Sequence, residues 1–276
     1  MRRILLASLL ALSGSAEAEP LIVDNGRLFI TAKINGVQTE ALLDSGAETT
    51  LVDPVLANEA KFGPGKPVRI KGSGGEQDVV LVSNVRIEAL GQSIPPTEVV
   101  VMDMTDLSTR LIKRPTRAIV GREVFDAAPI RIDLAKGDVR ALEKTDTPTG
   151  IKLPLTTHGG IETVPVTLGP AKVQAVLDFG NGTGLMISKE LAAQMGLKPV
   201  GKMNGGGIGG EIERDVVVLP DLTLAGRRFH NVEASVDATS SRAELNIGTP
   251  VLKHFVVTAD FKGRAAWFES VEEPGN

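Results

Sequence analysis

Two short segments hold the carboxylates whose type and spacing suit chemistry. Ala41-Leu42-Leu43-Asp44-Ser45-Gly46-Ala47 and Ala175-Val176-Leu177-Asp178-Phe179-Gly180-Asn181 each run apolar residues into an Asp, then one residue, then a glycine. That order suits a strand delivering a carboxylate into a tight turn. The apolar residues anchor the strand end, and the glycine permits a backbone conformation that a side chain would hinder. Turn amides then hydrogen-bond the carboxylate and hold it in place. A single Asp-Ser-Gly is ordinary turn chemistry. The second copy gives it another meaning, because paired carboxylates on matching elements are what an acid/base dyad requires.

The elements that must position these residues repeat as well. Leu28 to Ile34 and Val37 to Leu43 flank Asn35-Gly36, a strong hairpin signal, and the second strand leads into Asp44. Asp53 to Ala60 reads as a short helix. Val68 to Ile70 and Val79 to Val82 flank Gly72-Ser73-Gly74-Gly75, a long hairpin with a glycine tip, and Ala118-Ile119-Val120-Gly121-Arg122 reads as a buried strand closing on glycine. Asp44 and Asp178 are 178 − 44 = 134 residues apart, as are Ile34 and Leu168. Gly121 and Gly248 of Leu245-Asn246-Ile247-Gly248 are 248 − 121 = 127 apart, as are Asp133 and Asp260. One net deletion of 134 − 127 = 7 residues reconciles the halves. The chain therefore reads as a duplicated all-β unit. The linker-like Thr145 to Gly150 divides it into an N-terminal lobe, 19–147, and a C-terminal lobe, 148–276.

Composition agrees with short strands and an aliphatic interior. Of 276 residues, 42% are hydrophobic but only 3% aromatic, with no Tyr, so Val, Leu and Ile must fill the core. Thirty glycines and sixteen prolines argue for many turns. A formal net charge of −4 gives no electrostatic reason to expect nucleic acid. The absence of Cys excludes disulfides and any thiol nucleophile. Arg2 and Arg3, the apolar run Ile4 to Leu12, and Ala16-Glu17-Ala18 have the layout of a signal peptide over residues 1–18, too short to span a bilayer. An exported, disulfide-free chain points to a bacterial periplasm.

Other chemistries lack their residues. His158, His230 and His254 are scattered and none lies in H-E-x-x-H, so no metal site is expected. Gly205 to Gly210 matches a dinucleotide-binding fingerprint by letter, but strand-like Val216 to Leu219 follows it rather than a helix, so no cofactor is expected. The basic stretch Thr109 to Arg117 reads as a solvated loop. Asn181-Gly182-Thr183 matches a glycosylation sequon by coincidence. Trp267 and Phe268 read as core.

Assembled, these motifs resemble the aspartic proteases of the pepsin and retropepsin type, in a single-chain, bilobal bacterial form. The resemblance rests on Leu42-Leu43-Asp44-Ser45-Gly46-Ala47, the glycine-tipped hairpin and Ile119-Val120-Gly121-Arg122, with their counterparts in the second half. It implies two retropepsin-like β-barrel lobes with a cleft between them, and catalytic roles for Asp44 and Asp178. It also implies active-site turns made by Ser45, Gly46, Ala47, Phe179, Gly180 and Asn181. The substrate-binding flap would comprise Gly72, Ser73, Gly74 and Gly75, joined by Gly206 and Gly207. Glu48 and Arg122 occupy the positions of a structural ion pair, which Gly182 and Thr249 jointly lack in the second lobe. The implied partner is an extended polypeptide, with no cofactor and no need to dimerise. Phe179 stands where the family carries Thr or Ser, removing one hydroxyl from the network that links the two turns. That departure sets a second reading beside the protease: a catalytically weak or inactive peptide-binding protein of the same fold.

Overall fold

Asn35 and Gly36 both adopt left-handed backbone conformations, with φ of 46° and 85°, and close a two-residue hairpin between strands Arg27–Ile34 and Val37–Leu43. The computed structural model describes residues 19–238 and 243–271; the leader reading falls outside them. The second strand of the hairpin runs parallel to Ala118–Val120, with Leu43 opposite Val120. In the other half, Ala171–Leu177 runs parallel to Leu245–Ile247, with Leu177 opposite Ile247. The differences, 177 − 43 = 134 and 247 − 120 = 127, are the two repeat spacings, now expressed as strand pairing.

The first lobe is an eight-stranded sheet whose long flap strand, Gly75–Ala89, also pairs back onto Arg27–Ile34, curling the sheet towards its own start. The second lobe is built on a ten-stranded sheet. Between them lies a six-stranded sheet made from both lobes, at whose centre Ile130–Asp133 pairs antiparallel with Phe255–Asp260. Arg131 pairs there with Thr258, and 258 − 131 = 127. A residue facing its own repeat partner marks the pseudo-two-fold axis, which therefore passes through the seam sheet.

Strand alternation sorts the apolar residues onto two faces. Leu28, Ile30 and Ile34 face the main core, which runs without a break into Leu168, Phe179 and Phe255 of the second lobe. Phe29 and Leu42, paired across the first hairpin, face the other way and join Val79, Met102, Leu107 and Ile119 beneath the first flap. The few aromatic rings concentrate at the seam: Phe125 stacks on Phe179 at 6.3 Å and on Phe261 at 4.9 Å between centroids.

Two sequence expectations are corrected. Thr109 to Arg117 is not a solvated loop, because residues Leu107–Ile112 form a wide-turn helix with Leu107 and Ile112 buried. Two of its cations are tied down: Arg110 to Asp106, and Arg114 to Glu40 and Asp24. The charges masked an apolar spacing that packs under the first flap. Trp267 is half-buried rather than core, with the Lys152 ammonium 5.0 Å from its ring centre, whereas Phe268 is buried.

Candidate active site

Each strand hands its Asp to the seam through an identical backbone link. The Asp44 amide donates to the Val120 carbonyl, and the Asp178 amide to the Ile247 carbonyl, both at 3.0 Å. Each carboxylate is then caught by its own turn. Gly46 N–H donates to Asp44 Oδ1 at 2.8 Å, while Gly180 and Asn181 N–H donate to Asp178 Oδ1 at 2.9 and 3.0 Å. Both carboxyl groups line the same cleft, and each acts on the proton affinity of the other. Burial, followed by the negative charge of Asp178, pushes the Asp44 carboxyl up to about 8. Burial raises Asp178 as well, but there the donors oppose it: the Asn246 side chain, then the Asn181 and Gly180 amides.

Glycine at both turns is required by space. A Cβ at Gly180 would sit 2.2 Å from Asp44 Cγ, and one at Gly46 would sit 3.0 Å from the Asp178 carboxyl atoms. Each turn thus forms the bed of the opposite lobe's carboxylate.

The turns are fastened by one hydroxyl instead of two. Buried Ser45 Oγ donates to the Leu177 carbonyl at 2.6 Å and accepts from Phe179 N–H at 2.9 Å, spanning the second lobe's turn on both sides of Asp178. Phe179 has no hydroxyl to return the arrangement, but its ring is fully buried and stacks on Phe125 of the first lobe. Packing across the seam stands where the second hydroxyl would be.

The Asp pair lies at the floor of a cleft of about 610 Å³. Apolar residues line it on both sides, Leu42, Ile70, Val100 and Ile119 from the first lobe and Val176, Met186 and Leu245 from the second, with Ser188, Arg214, Asp237 and Asn246 among the polar groups of the second. The flap hairpins, Lys66–Gly72 with Gly75–Ala89 and Pro199–Gly207 with Gly210–Val218, meet over it. Gly74 N–H donates to the Ile208 carbonyl at 2.9 Å. Glycine is what allows backbone to touch backbone there, since a Cβ at Gly74 would lie 2.2 Å from the Gly210 carbonyl oxygen. Ser73 approaches Gly207, and Gly75 approaches Gly209. Arg110 fastens the second flap by donating to the Gly207 carbonyl at 3.0 Å. Gly206 sits beside it, 3.2 Å from Arg110 Nη1 to a Cβ placed there.

The expected Glu48–Arg122 pair is not made. Arg122 reaches Asp126 at 2.9 Å and Glu162 at 3.4 Å, and donates to the Gly160 carbonyl; Glu48 lies against Gly160. Glu162 is buried to 1% exposure and also meets Arg264 at 2.6 Å. A buried carboxylate demands cations more strongly than a partly exposed one, so Arg122 is drawn across the seam. In the second lobe the vacated positions serve the same seam. Gly182 packs on Gly26, and the Thr249 hydroxyl donates to the Gly26 carbonyl.

Two residues escaped the sequence reading. Asn246 donates from Nδ2 to Asp178 Oδ2 at 2.6 Å. Its signal was a polar residue inside an apolar-apolar-glycine motif that carries Ile119 in the other half. Arg27 is 4% exposed and lines the cleft; burial lowers its guanidinium, opposed in part by the charges of Asp178 and Asp44. It follows a hairpin turn in sequence, and nothing in its local pattern marks it.

Two β lobes that each present one Asp to a common, flap-covered cleft define a bilobal, retropepsin-like architecture. Comparison with protein families agrees: the aspartyl protease family model matches the chain twice, over residues 30–124 and 164–251. The chain belongs to the aspartyl protease family. Comparison with curated proteins returned no match.

Proposed function

We propose that this protein is an aspartic endopeptidase that hydrolyses an extended polypeptide held in the inter-lobe cleft. The observation that carries the reading is the Asp44–Asp178 pair, each carboxyl seated over the opposite turn's glycine, with the two turns tied together by Ser45. Two carboxyl groups in contact cannot both ionise, so the pair holds one proton; the handling of acid and base by such a dyad is the established pattern for this enzyme class. The ionised member takes a proton from a water molecule as its oxygen bonds to the peptide carbonyl carbon. The protonated member gives its proton to the carbonyl oxygen, forming a neutral gem-diol. The first carboxyl then protonates the departing nitrogen, the C–N bond breaks, and the other recovers a proton from a gem-diol hydroxyl. The dyad returns to its starting charge.

The flaps supply the rest. Their glycine tips lie over the cleft, and on opening would offer backbone groups suited to strand-like hydrogen bonding with an extended chain. The apolar residues on both sides of the cleft favour large apolar substrate side chains. The leader-like residues 1–18 support export to a periplasm as the setting for this activity.

Incubating the purified protein with an unfolded protein across pH 3 to 8 tests the reading. Cleavage should occur internally and fall by roughly 10²- to 10⁴-fold in both Asp44→Asn and Asp178→Asn. Saturable peptide binding with no cleavage at any pH would instead favour the binding-module reading.

A further inference from the structure

Asp178 is held by a side-chain chain that Asp44 lacks. Thr183 N–H, a main-chain group that can only donate, points at Asn181 Oδ1 at 3.0 Å. The Asn181 amide nitrogen therefore faces the other way. It donates to the Gly184 carbonyl, which can only accept, and to Asn246 Oδ1, each at 2.7 Å. With its oxygen so engaged, Asn246 must turn Nδ2 towards Asp178 Oδ2, where it donates at 2.6 Å. Two obligatory main-chain groups thus fix both amide orientations, one residue after the next.

The consequence is an asymmetric dyad. Asp178 accepts from three protein donors, Gly180, Asn181 and Asn246, which occupy both of its oxygens. Among the described residues, Asp44 is caught only by the amides of its own turn, Gly46 and Ala47. The position matching Asn246 is Ile119, since 246 − 119 = 127, and Ile119 carries no donor. Hydrogen bonds to a carboxylate favour its charged form.

We infer that Asn246, oriented by Asn181, is a positioning residue that makes Asp178 the ionised member of the resting pair and leaves the proton on Asp44. This rests on the protease reading and goes beyond it by assigning the two roles. Asp178 becomes the base that takes the water's proton, and Asp44 the acid that protonates the carbonyl oxygen. The raised proton affinity of Asp44, driven by burial and then by the charge of Asp178, agrees with this. Other charged groups facing the cleft are Arg27 from the first hairpin, Glu48 from the Asp44 turn, Lys71 from the first flap, and Arg214 and Asp237 from the second lobe. Arg27 acts on both Asp residues, on Asp178 ahead of Asp44, so its charge works in the same direction as the Asn246 donor.

Carboxyl carbon NMR of the 13C-aspartate-labelled full chain, with the pair assigned through Asp44→Asn and Asp178→Asn, tests the resting state without requiring turnover. Asp178 should keep the chemical shift of a carboxylate from pH 5 to 7, while Asp44 holds its proton up to about pH 8. In the pH profile of kcat/KM, Asn246→Ile should raise the acid-limb pKa by about one unit, a tenfold change in proton affinity. Asn181→Ala, which frees the Asn246 amide to turn, should move the limb in the same direction by less. Finding the resting proton on Asp178, or an acid limb that neither variant displaces, would overturn the inference. Absence of hydrolysis with the expected NMR titration would sink the protease reading and leave the proton assignment standing.

Discussion

Gly180 of the second lobe lies directly beneath the Asp44 carboxyl of the first, so close that a methyl group there would fall 2.2 Å from Asp44 Cγ. The corresponding space at Gly46, under Asp178, is 3.0 Å. Gly180→Ala should therefore abolish hydrolysis, whereas Gly46→Ala retains a measurable fraction of it. Comparing kcat/KM of the two variants, with circular dichroism to confirm folding, checks the order; equal losses would contradict it.

The dyad should also shape the stability profile. The folded Asp44 carboxyl is pushed up to about 8, above its ordinary value of 3.8, so the folded state binds more protons than the unfolded state between those limits. Such a group's contribution is fully present below the unfolded pKa and is lost as pH rises through the folded pKa. Asp44→Asn removes the ionisable group while keeping its shape. Relative to the parent protein, the variant should become more stable between pH 4 and 8, by up to several kcal/mol on the scale of about 1.4 kcal/mol per unit. Urea midpoints measured at both ends of that range would show the trend, and a constant difference would refute it. Loss of one member of the acid/base pair should lower activity by roughly 10²- to 10⁴-fold.

Restoring the family's second hydroxyl should do harm. Phe179→Ser offers an Oγ in the second turn but removes a fully buried ring from its stack with Phe125. Deleting a buried Phe ring costs about 3–5 kcal/mol, against about 1 kcal/mol for a hydrogen bond gained. The variant should melt well below the parent. Ser45→Ala should cost about 1–3 kcal/mol by stranding the buried Leu177 carbonyl and Phe179 amide, while Ser45→Thr should be tolerated. A Phe179→Ser variant as stable as the parent would show that the seam does not depend on the ring.

At the flap tips, Gly74→Ala would force a methyl group against the Gly210 carbonyl and push the two hairpins apart. Losing one strand-like hydrogen bond to substrate corresponds to about 0.5–1.5 kcal/mol, or on the order of a few-fold to tenfold. The change should appear mainly as a higher KM, because the tips do not touch the dyad. Steady-state kinetics separate the two parameters, and a fall in kcat at constant KM would count against this role.

Much of the architecture was legible because it follows from local rules. Asn35-Gly36 closed its hairpin as expected, and the spacings of 134 and 127 reappeared as strand register. Failures arose where a residue's partner lies far along the chain. Arg122 was assigned to Glu48, but buried Glu162 of the other lobe competes for it. The basic run around Arg110 hid an apolar spacing, and its Arg110 fastens a flap 97 residues away.

The sequence alone determined that two equivalent strand-to-turn units each carry an Asp, since apolar runs, glycines and constant spacing are properties of the chain. Only the folded structure decided how unequal those units are. A carboxylate's charge depends on which donors surround it, and those donors come from distant strands. Asn246 reaches Asp178, while its counterpart Ile119 offers Asp44 nothing to accept. The pairing is thus written in the repeat, and the asymmetry in the packing across the seam.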